Sequence, residues 1–386
     1  MRILPLHHAI RNAGRSPVRS LLLVLASALV AGLLVATSAF VRSLERSHLG
    51  AAPPNTAILI SNGAMRDVIR SAMSIAVAEF VAADVPGTVR VGGVPASSAE
   101  IHMGSSIHVE GDPTSRQAAL RGVTPRAYLV HESVTLIDGA LPGPGQVLVG
   151  RLAAIKCGLT ADTFLPGARL EIEGGTFVVS GTFAAPGTTI ESEIWVPLAE
   201  LQGLAQRDDC SAVFVRVETA DDLADVDLFA KRRLDLELIC VPARDYYSEL
   251  AAYFDPILAL AWSMTLLIGV AATTGGANTV IASVQSRTRE IAALRAIGFR
   301  GFALALAVLQ ETLTLGMAGA LLGLVATRLL LGQASVRMAM TAFRLELDPV
   351  SILVGLGGIL LISLAGATPA LVRILRMPVA RALKED

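Results

Sequence analysis

The chain has 386 residues, of which 53% are hydrophobic and 17% are charged, and its formal net charge is −1. Soluble domains contain about 25% charged residues, so this composition indicates a membrane protein. The near-zero net charge gives no electrostatic reason to expect a nucleic-acid partner.

The lysines bear on nucleotide binding. A Walker A loop ends in Gly-Lys-Ser/Thr, whereas Lys156, Lys231 and Lys384 are each followed by another residue type. We therefore expect that the chain does not hydrolyse ATP by itself. No Gly-x-Ser-x-Gly motif occurs either, so we predict no catalytic residue and no cofactor in this chain.

Four apolar stretches are long enough to cross a membrane, which takes about 20 residues in a helix. They predict transmembrane helices at residues 20–41, 256–286, 301–330 and 350–372. The first stretch is longer than the apolar region of a usual signal peptide and follows 19 other residues. We therefore interpret it as a retained anchor rather than as a cleaved signal.

Arginines outside these stretches predict the orientation. They are concentrated in residues 1–19, 287–300 and 373–386, and positive charge marks cytoplasmic segments. Both termini and the 287–300 segment are therefore predicted to be cytoplasmic. Residues 42–255 and the loop at residues 331–349 are predicted to be extracytoplasmic.

The segment of residues 42–255 contains interleaved strand and helix patterns. β-branched runs bounded by Gly or Pro predict strands at residues 56–60, 146–150, 168–172, 176–183, 193–198 and 212–218. Apolar periodicity predicts amphipathic helices at residues 63–84 and 221–235. Because no regular βαβ rhythm occurs, we predict an α+β domain. Residues 244–264 are helical in period and are predicted to run directly into the second span.

Several residues of this domain are of types that ligate metals. His102, His108, Glu110 and His131 have a spacing that matches no zinc motif, so we interpret the histidines as scattered surface residues and predict no metal site.

The three cysteines, Cys157, Cys210 and Cys240, permit at most one disulfide. A Cys210–Cys240 bridge and plain packing of both side chains are equally consistent with the sequence.

A short basic amphipathic helix is predicted at residues 287–300. Ile291, Leu294 and Ile297 recur at three-residue spacing and form one apolar face, and Gly298 ends the helix. Such a face fits a groove on a partner protein. The alternative, a helix that lies on lipid headgroups, is less favoured because the segment is short.

Charged residues flank this apolar face. Arg289, Arg295 and Arg300 are expected to present cations to the cytosol. Glu290 has only loosely spaced partners within the helix, so a contact with a partner protein is equally plausible.

Polar and small residues distinguish the third predicted span. Glu311 is an ionisable residue within it, for which a relay role and a pairing with an Arg of the preceding segment are the alternatives; we favour the pairing. Gly316, Gly319 and Gly323 lie in the same span, and their spacing favours close helix packing.

Residues 286–324, SRTREIAALRAIGFRGFALALAVLQETLTLGMAGALLGL, resemble the signature region of the FtsX-like permease family, the membrane subunits of MacB-type ABC transporters. Residues 9–35 are similar to the family's amphipathic N-terminal helix and first span, which implies a cytoplasmic helix at residues 1–19. Residues 368–383 are similar to its C-terminal ending, and residues 150–204 to the MacB-type periplasmic core domain. The resemblance covers nearly the whole chain, although residues 50–137 match loosely.

The resemblance implies a permease subunit of a bacterial cytoplasmic (inner) membrane. Because few residues precede the first span, the chain resembles the split arrangement, in which a separate cytoplasmic ABC ATPase binds ATP and Mg²⁺. A second permease copy or paralogue would complete a dimer. Membrane lipid and a periplasmic adaptor or lipoprotein carrier are further implied partners.

The family's mechanism assigns a role to the helix that resembles residues 289–298, which docks on the nucleotide-binding domains. Their closure on ATP shifts the membrane helices and the outer domain, a mode called mechanotransmission. The expected function is export or extraction of a lipid, lipoprotein, peptide or small toxic compound. The alternative is a cell-division-type regulator of cell-wall hydrolases, which the size of the outer domain disfavours. An ion-coupled secondary transporter would need inverted repeats, which the sequence does not supply.

Overall fold

The computed structural model describes residues 17–51, 53–332, 334–338 and 342–378. The predicted N-terminal helix and C-terminal tail therefore lie largely outside the described residues.

The chain divides into two compact units. One unit, called here the helical unit, contains the described residues of segments 1–42, 256–334 and 345–386. The other, called the α/β unit, contains Ser43–Asp255 and Ser335–Arg344. The α/β unit is thus built from two separate stretches of the chain.

The helices in the described part of the chain are α1 (Pro17–Leu49), α2 (Val77–Asp84), α3 (Ala127–Val130), α4 (Ala153–Lys156), α5 (Leu198–Ala205), α6 (Leu223–Arg232), α7 (Ala243–Ala252), α8 (Asp255–Gln285), α9 (Thr288–Ala296), α10 (Gly301–Leu331) and α11 (Pro349–Arg376). The strands there are β1 (Thr56–Ser61), β2 (Met73–Ser74), β3 (Arg90–Val91), β4 (Val94–Pro95), β5 (Ser97–Val109), β6 (Asp112–Val123), β7 (Thr135–Gly139), β8 (Gln146–Gly150), β9 (Arg169–Ile172), β10 (Gly175–Ala184), β11 (Glu193–Pro197), β12 (Asp209–Cys210), β13 (Ala212–Arg216), β14 (Leu238–Pro242), β15 (Ser335–Arg337) and β16 (Ala342–Arg344).

Four helices, α1, α8, α10 and α11, are long and apolar enough to cross a membrane. Each covers one of the four predicted spans. Helix α1 continues beyond the predicted end of its span to Leu49, and α11 continues to Arg376. These extensions carry charged side chains, so they lengthen the helices without lengthening the apolar stretches.

The predicted continuous helix at residues 244–264 is wrong. Helix α7 ends at Ala252, and a turn at Tyr253 and Phe254 separates it from α8. Pro256 explains the break, because its ring has no N–H and clashes with the carbonyl of the residue four positions earlier, which is Ala252.

Ten strands of the described residues form one mixed sheet in the α/β unit. The order is β14-β1-β13-β5-β6-β11-β8-β10-β7, and β9 pairs with both β10 and β5. The pairs of β5, β6, β11, β8, β10 and β9 therefore close into a ring. Only the β6–β11 and β8–β10 pairs among these described strands are parallel. This irregular mixture of strands and helices confirms the predicted α+β class.

The six predicted strands are present as β1, β8, β9, β10, β11 and β13, and the predicted helix at residues 221–235 is present as α6. Strands β5 and β6, which form the longest hairpin of the sheet, were not predicted.

The predicted helix at residues 63–84 is wrong except for its last turns, which form α2. Met65 and Arg66 have positive φ angles of 49° and 67°. The Asp67 carboxylate accepts a hydrogen bond from the Ile69 N–H at 3.0 Å, and Ser71 Oγ accepts one from Ser61 N–H at 2.9 Å. Side chains of these types offer the backbone local partners that compete with helical bonds.

Candidate partner-docking helix

Helix α9 lies in the chain between α8 and α10 and ends in a specific turn. Phe299 N–H donates to Leu294 O at 3.1 Å, and Gly298 N–H donates to Arg295 O at 3.0 Å. This pair of bonds is the Schellman motif, which places a residue with positive φ just after the helix. Gly298 occupies that position with φ 104°, so its lack of a Cβ permits the sharp exit toward α10.

The inner face of α9 packs on the ends of its neighbours in the helical unit. Ile291 is 8% exposed and Ala292 is fully buried, and Leu294 packs against the same cluster. The partners come from α8, α10 and α11 and include Val284, Leu304 and Ile374. Residues of the same chain therefore cover Ile291 and part of Leu294, and the docking of these two side chains on a partner protein stays a prediction. Spacing identifies an apolar face but not the surface that covers it.

Arg295 lies on the inner side as well. Its Nη1 donates to the carbonyl oxygens of Ile374 at 3.3 Å and Met377 at 2.7 Å. These carbonyls belong to the end of α11, where the last turn of a helix has no backbone donors of its own. This cation therefore caps a helix C-terminus while its side chain stays partly exposed, and its presentation to the cytosol stays a prediction.

The exposed residues of α9 and of the turn that follows it are called here the outer face of α9: Arg289, Ala293, Ala296, Ile297 and Arg300. Ile297 is 73% exposed. The two alanines make the surface shallow, and an arginine stands at either end. Such a surface suits a partner that offers an apolar depression flanked by carboxylates. Glu290 is also exposed, at the edge of this face.

Glu311 pairs with the segment before α9. Its carboxylate lies 3.3 Å from Arg287 Nη1, and the two side chains are 15% and 16% exposed. This is the pairing favoured from the sequence. The ion pair ties the α8–α9 corner to α10, so a displacement of α9 pulls on α10 directly.

The glycines of α10 lie at helix contacts within the helical unit. A Cβ on Gly316 would collide with Ser363 Oγ of α11, and one on Gly323 would collide with the backbone of α1 at Ala28. Gly319 also faces the backbone of α1. Without side chains at these positions, the helices approach more closely than larger residues would permit.

The histidines of the α/β unit are arranged differently from the prediction. His131 is buried, with Nε2 2.9 Å from Glu100 Oε1, and Glu100 accepts a hydrogen bond from Arg121 Nη1 at 2.8 Å. Arg121 also donates from Nε to Glu193 at 2.6 Å. We call Glu100, Arg121, His131 and Glu193 the buried charge cluster. The interpretation of His131 as a surface residue is wrong, because it packs in this cluster.

His102 is also largely buried, with Nε2 3.5 Å from Glu100 Oε2 and its ring stacked on Phe214. Burial, and then the nearby Arg121, lowers the pKa of His102. Burial alone would raise the pKa of Glu100, but His131 and Arg121 hold it well below its usual range. No motif or spacing in the sequence indicates this cluster. Among the described residues, no group of three His, Cys, Asp or Glu side chains could hold a metal ion.

The cysteines are free thiols. The Cys210–Cys240 bridge that the sequence permits is not formed, and Cys157 is also unpaired. Burial raises the pKa of Cys157 to about 11 and that of Cys210 to about 12. All three therefore contribute to packing as neutral side chains at neutral pH.

Comparisons with solved structures give distant matches. The periplasmic region of MacB from Actinobacillus actinomycetemcomitans is 12% identical, with a TM-score of 0.39, and the match covers 52% of this chain and 94% of that one. The extracellular domain of the noncanonic ABC-type transporter YknZ from Gram-positive bacteria is 16% identical, with a TM-score of 0.37. That match covers 48% of this chain and 100% of the other chain. A domain of a permease protein from Porphyromonas gingivalis is 17% identical, with a TM-score of 0.33. That match covers 50% of this chain and 91% of the other chain. The comparison with curated proteins gives no match.

Comparisons with protein families match both parts of the chain. Residues 20–227 match the MacB-like periplasmic core domain, and residues 262–379 match the FtsX-like permease C-terminal domain. The second match includes most of α8 and all of α9, α10 and α11. Together with the four apolar helices, these matches identify an integral membrane protein of a kind that works with a cytoplasmic ATPase. The chain belongs to the family of FtsX-like ABC transporter permeases that carry a MacB-like periplasmic core domain.

Proposed function

We propose that this chain is the permease subunit of an ATP-driven MacB-type transporter that works by mechanotransmission. The proposal rests on the different surroundings of the two faces of α9. Its inner face is locked to α8, α10 and α11, whereas its outer face is exposed. A separate ATPase subunit docks on the outer face from the cytoplasm of a bacterial inner membrane, and a second permease copy or paralogue completes the dimer.

The contacts of the inner face explain how motion would travel. Ile291 and Leu294 are packed against the ends of three membrane helices. Arg295 is bonded to the end of α11, and the Arg287–Glu311 pair joins the start of the segment to α10. A force on the outer face therefore displaces the helices rather than bending α9. A packed contact of this kind transmits displacement because the interior is incompressible.

The cargo is a lipid, lipoprotein, peptide or small toxic compound handled on the outer side. A cavity of about 380 Å³ between α1, α8, α10 and α11 supports the lipid and lipoprotein classes among these. It is lined by apolar and small residues, including Ala26, Gly275 and Gly366. A lipid acyl chain is the chemical group that such a space accepts. The match to the MacB-like core domain supports transport over regulation of cell-wall hydrolases.

The test uses the full chain purified with the ATPase encoded beside it. Ile297→Asp places a charge in the middle of the outer face, and we expect it to lower permease-stimulated ATP turnover about tenfold, the effect of losing one central contact. Leu234→Asp is the matched control, because Leu234 is also exposed but lies in the α/β unit. Variants of Ile291 or Arg295 are unsuitable, because they would disturb the helical unit itself.

Two results would overturn the docking assignment. One is a stable complex whose ATP turnover is unchanged by both Ile297→Asp and Ala293→Glu. The other is an equal loss of turnover in the Leu234→Asp control. If the ATPase docks on this face, a deletion strain distinguishes the transporter from the regulator of cell-wall hydrolases. Loss of export supports the transporter. Chains of undivided cells with normal export support the regulator.

A further inference from the structure

A polar cavity of about 510 Å³ lies in the α/β unit, remote in sequence from α9. It is lined by residues of β6, of the end of α4, and of β15 with the residue that follows it. Three of the lining side chains are cations: Arg116, Lys156 and Arg337. They come from three separate segments of the chain, so the fold itself brings these charges together.

The three cations are poorly compensated. Among the described residues, Asp112 is the one carboxylate that forms an ion pair with any of them, 2.7 Å from Arg116 Nη2. Hydrogen bonds from Arg116 lower the pKa of Asp112 to about 2, so this carboxylate is ionised at neutral pH. Cys157, which also lines the cavity, is neutral because burial raises its pKa to about 11. The cavity therefore holds a surplus of about two positive charges, each of which repels the others.

Arg116 and Lys156 are held in place by backbone carbonyls. Arg116 Nη1 donates to Cys157 O at 3.2 Å, and Lys156 Nζ donates to Gln117 O at 3.1 Å. Lys156 is only 5% exposed. An ammonium group has three donors, and the described residues supply an acceptor for one of them. Burial is the largest influence on the pKa of Lys156 and lowers it, because a cation is destabilised away from water; an anion bound beside the ammonium group would offset that cost.

Gly158 makes room for the guanidinium groups to converge. A Cβ on Gly158 would collide with Arg337 Nη1, and Arg116 Nη1 lies 3.6 Å from the same point. Gly158 also has φ 75°, which other residues rarely adopt. The backbone at Gly158 thus leaves room for both guanidinium groups beside it, and Asp112 pairs with only one of them, Arg116.

We propose that Arg116, Lys156 and Arg337 bind a phosphate group that carries close to two negative charges. A carboxylate would neutralise only one of the two surplus charges, whereas a phosphomonoester carries about −1.5 to −2 at pH 7. Guanidinium forks match phosphate oxygens in geometry. Arg337 lies on the β15–β16 hairpin, so the bound group joins that hairpin to β6 and α4 of the same unit.

Two sources supply this chemistry, free phosphate and a lipid headgroup that bears a phosphomonoester, and the experiment has an arm for each. In the first arm, thermal unfolding of the full chain in detergent is followed against inorganic phosphate at constant ionic strength. In the second arm, the Tm of the full chain is compared between vesicles of phosphatidylcholine with and without phosphatidic acid. A ligand that binds the folded state raises Tm as its concentration exceeds Kd.

The variants are Arg337→Gln and Lys156→Gln, and the matched control is Arg169→Gln, an exposed arginine of the same unit. We expect a saturable rise of Tm for the wild type, a roughly tenfold weaker affinity in each cavity variant, as for one lost charge-assisted bond, and no change in the control. Gly158→Ala keeps every charge but removes the space for Arg337, so it should weaken binding as well.

Each outcome has a fixed meaning. A response to inorganic phosphate that the cavity variants lose supports the site with free phosphate as its ligand. A response only to phosphatidic acid that the same variants lose supports the site with a lipid headgroup as its ligand. No response in either arm, or a response that the cavity variants retain, overturns the proposal. No ATPase takes part, so the result is independent of the function proposed above.

Discussion

The helical unit and the α/β unit hold themselves together by different means. In the helical unit, glycines remove side chains so that backbones meet, as at Gly319 and Gly323 against α1. In the α/β unit, a continuous apolar core surrounds the sheet, and the buried charge cluster lies within it, with Glu100 and Arg121 almost fully buried. Fully buried charges thus lie in the unit with the larger apolar core.

The solvent around each unit explains the contrast. Lipid tails are as apolar as leucine, so the burial of apolar surface does not drive membrane helices together, and close packing must do so. A domain that folds in water gains about 25 cal/mol for each Å² of apolar surface that it buries. That gain can offset the desolvation of a salt bridge, which costs several kcal/mol for each ion. The following variants test this comparison, from the largest expected effect to the smallest.

Arg121→Met breaks the buried charge cluster and should have the largest effect. It leaves Glu100 and Glu193 buried without their cation, and we expect the free energy of unfolding of the α/β unit to fall by about 3–5 kcal/mol. Trp195 donates to Glu193 at 2.9 Å, so its fluorescence reports on the cluster in a Trp262→Phe background. The unfolding midpoint in denaturant measures the loss.

The matched control for this variant is Arg70→Met. Arg70 pairs with Asp67 on the exposed surface, so its removal should cost less than about 0.5 kcal/mol. Equal stability of the Arg121→Met and Arg70→Met proteins would show that the cluster does not stabilise the fold.

Gly323→Val should have an intermediate effect, confined to the helical unit. The new side chain collides with the backbone of α1 at Ala28, and overpacking of this kind costs about 1–3 kcal/mol. Thermal unfolding of the full chain in detergent measures it. Gly357→Val in α11 is the control, because a Cβ there meets no atom within 4 Å. If both variants unfold alike, close approach of backbones is not what holds these helices.

The pH dependence of stability should show the smallest effect. The pKa of His102 is lowered in the folded state, so below its ordinary value of 6.5 the unfolded chain binds a proton that the folded chain does not. Stability of the α/β unit therefore falls as the pH drops below about 6.5, by at most about 1.4 kcal/mol per pH unit for one such group. Glu100 adds a loss in the same direction only at lower pH, below its ordinary value of 4.5.

His102→Gln isolates the contribution of this side chain. The groups that face it are Glu100, Arg121 and Glu193, and all three stay in the variant. Between pH 5 and 6.5, denaturant midpoints followed through Trp195 should depend less steeply on pH in His102→Gln than in the wild type. Identical slopes would contradict the assignment.

Local patterns predicted the elements that depend on local physics. The four spans follow from length and apolarity. Strand β8 begins and ends at the predicted residues, because a β-branched run bounded by glycine or proline is typical of a strand. The failure at residues 63–84 has the same origin. An apolar period occurs there, but Asp67 and Ser71 direct the backbone into turns, and periodicity alone does not register such competition.

Contacts between distant segments were not predictable in the same way. Arg121 meets Glu193 across 72 positions of sequence, and each residue alone resembles an ordinary charge of a strand. The inner face of α9 was recognised as apolar, but a single sequence does not state that α8, α10 and α11 cover it. The break before α8 was predictable, since Pro256 forbids the continuous helix.

The division of the α/β unit into two stretches of chain has a consequence for biosynthesis. Residues 43–255 leave the ribosome first, and the β15–β16 hairpin emerges only after α8, α9 and α10 have been made. At about 5–20 residues per second, the unit waits roughly 4–16 s for its last two strands. Arg337 arrives with that hairpin, so the three cations meet only after the third apolar helix has been synthesised. The last strands of this domain are therefore made between the third and the fourth apolar helix, so completion of the domain falls within the membrane insertion of the chain.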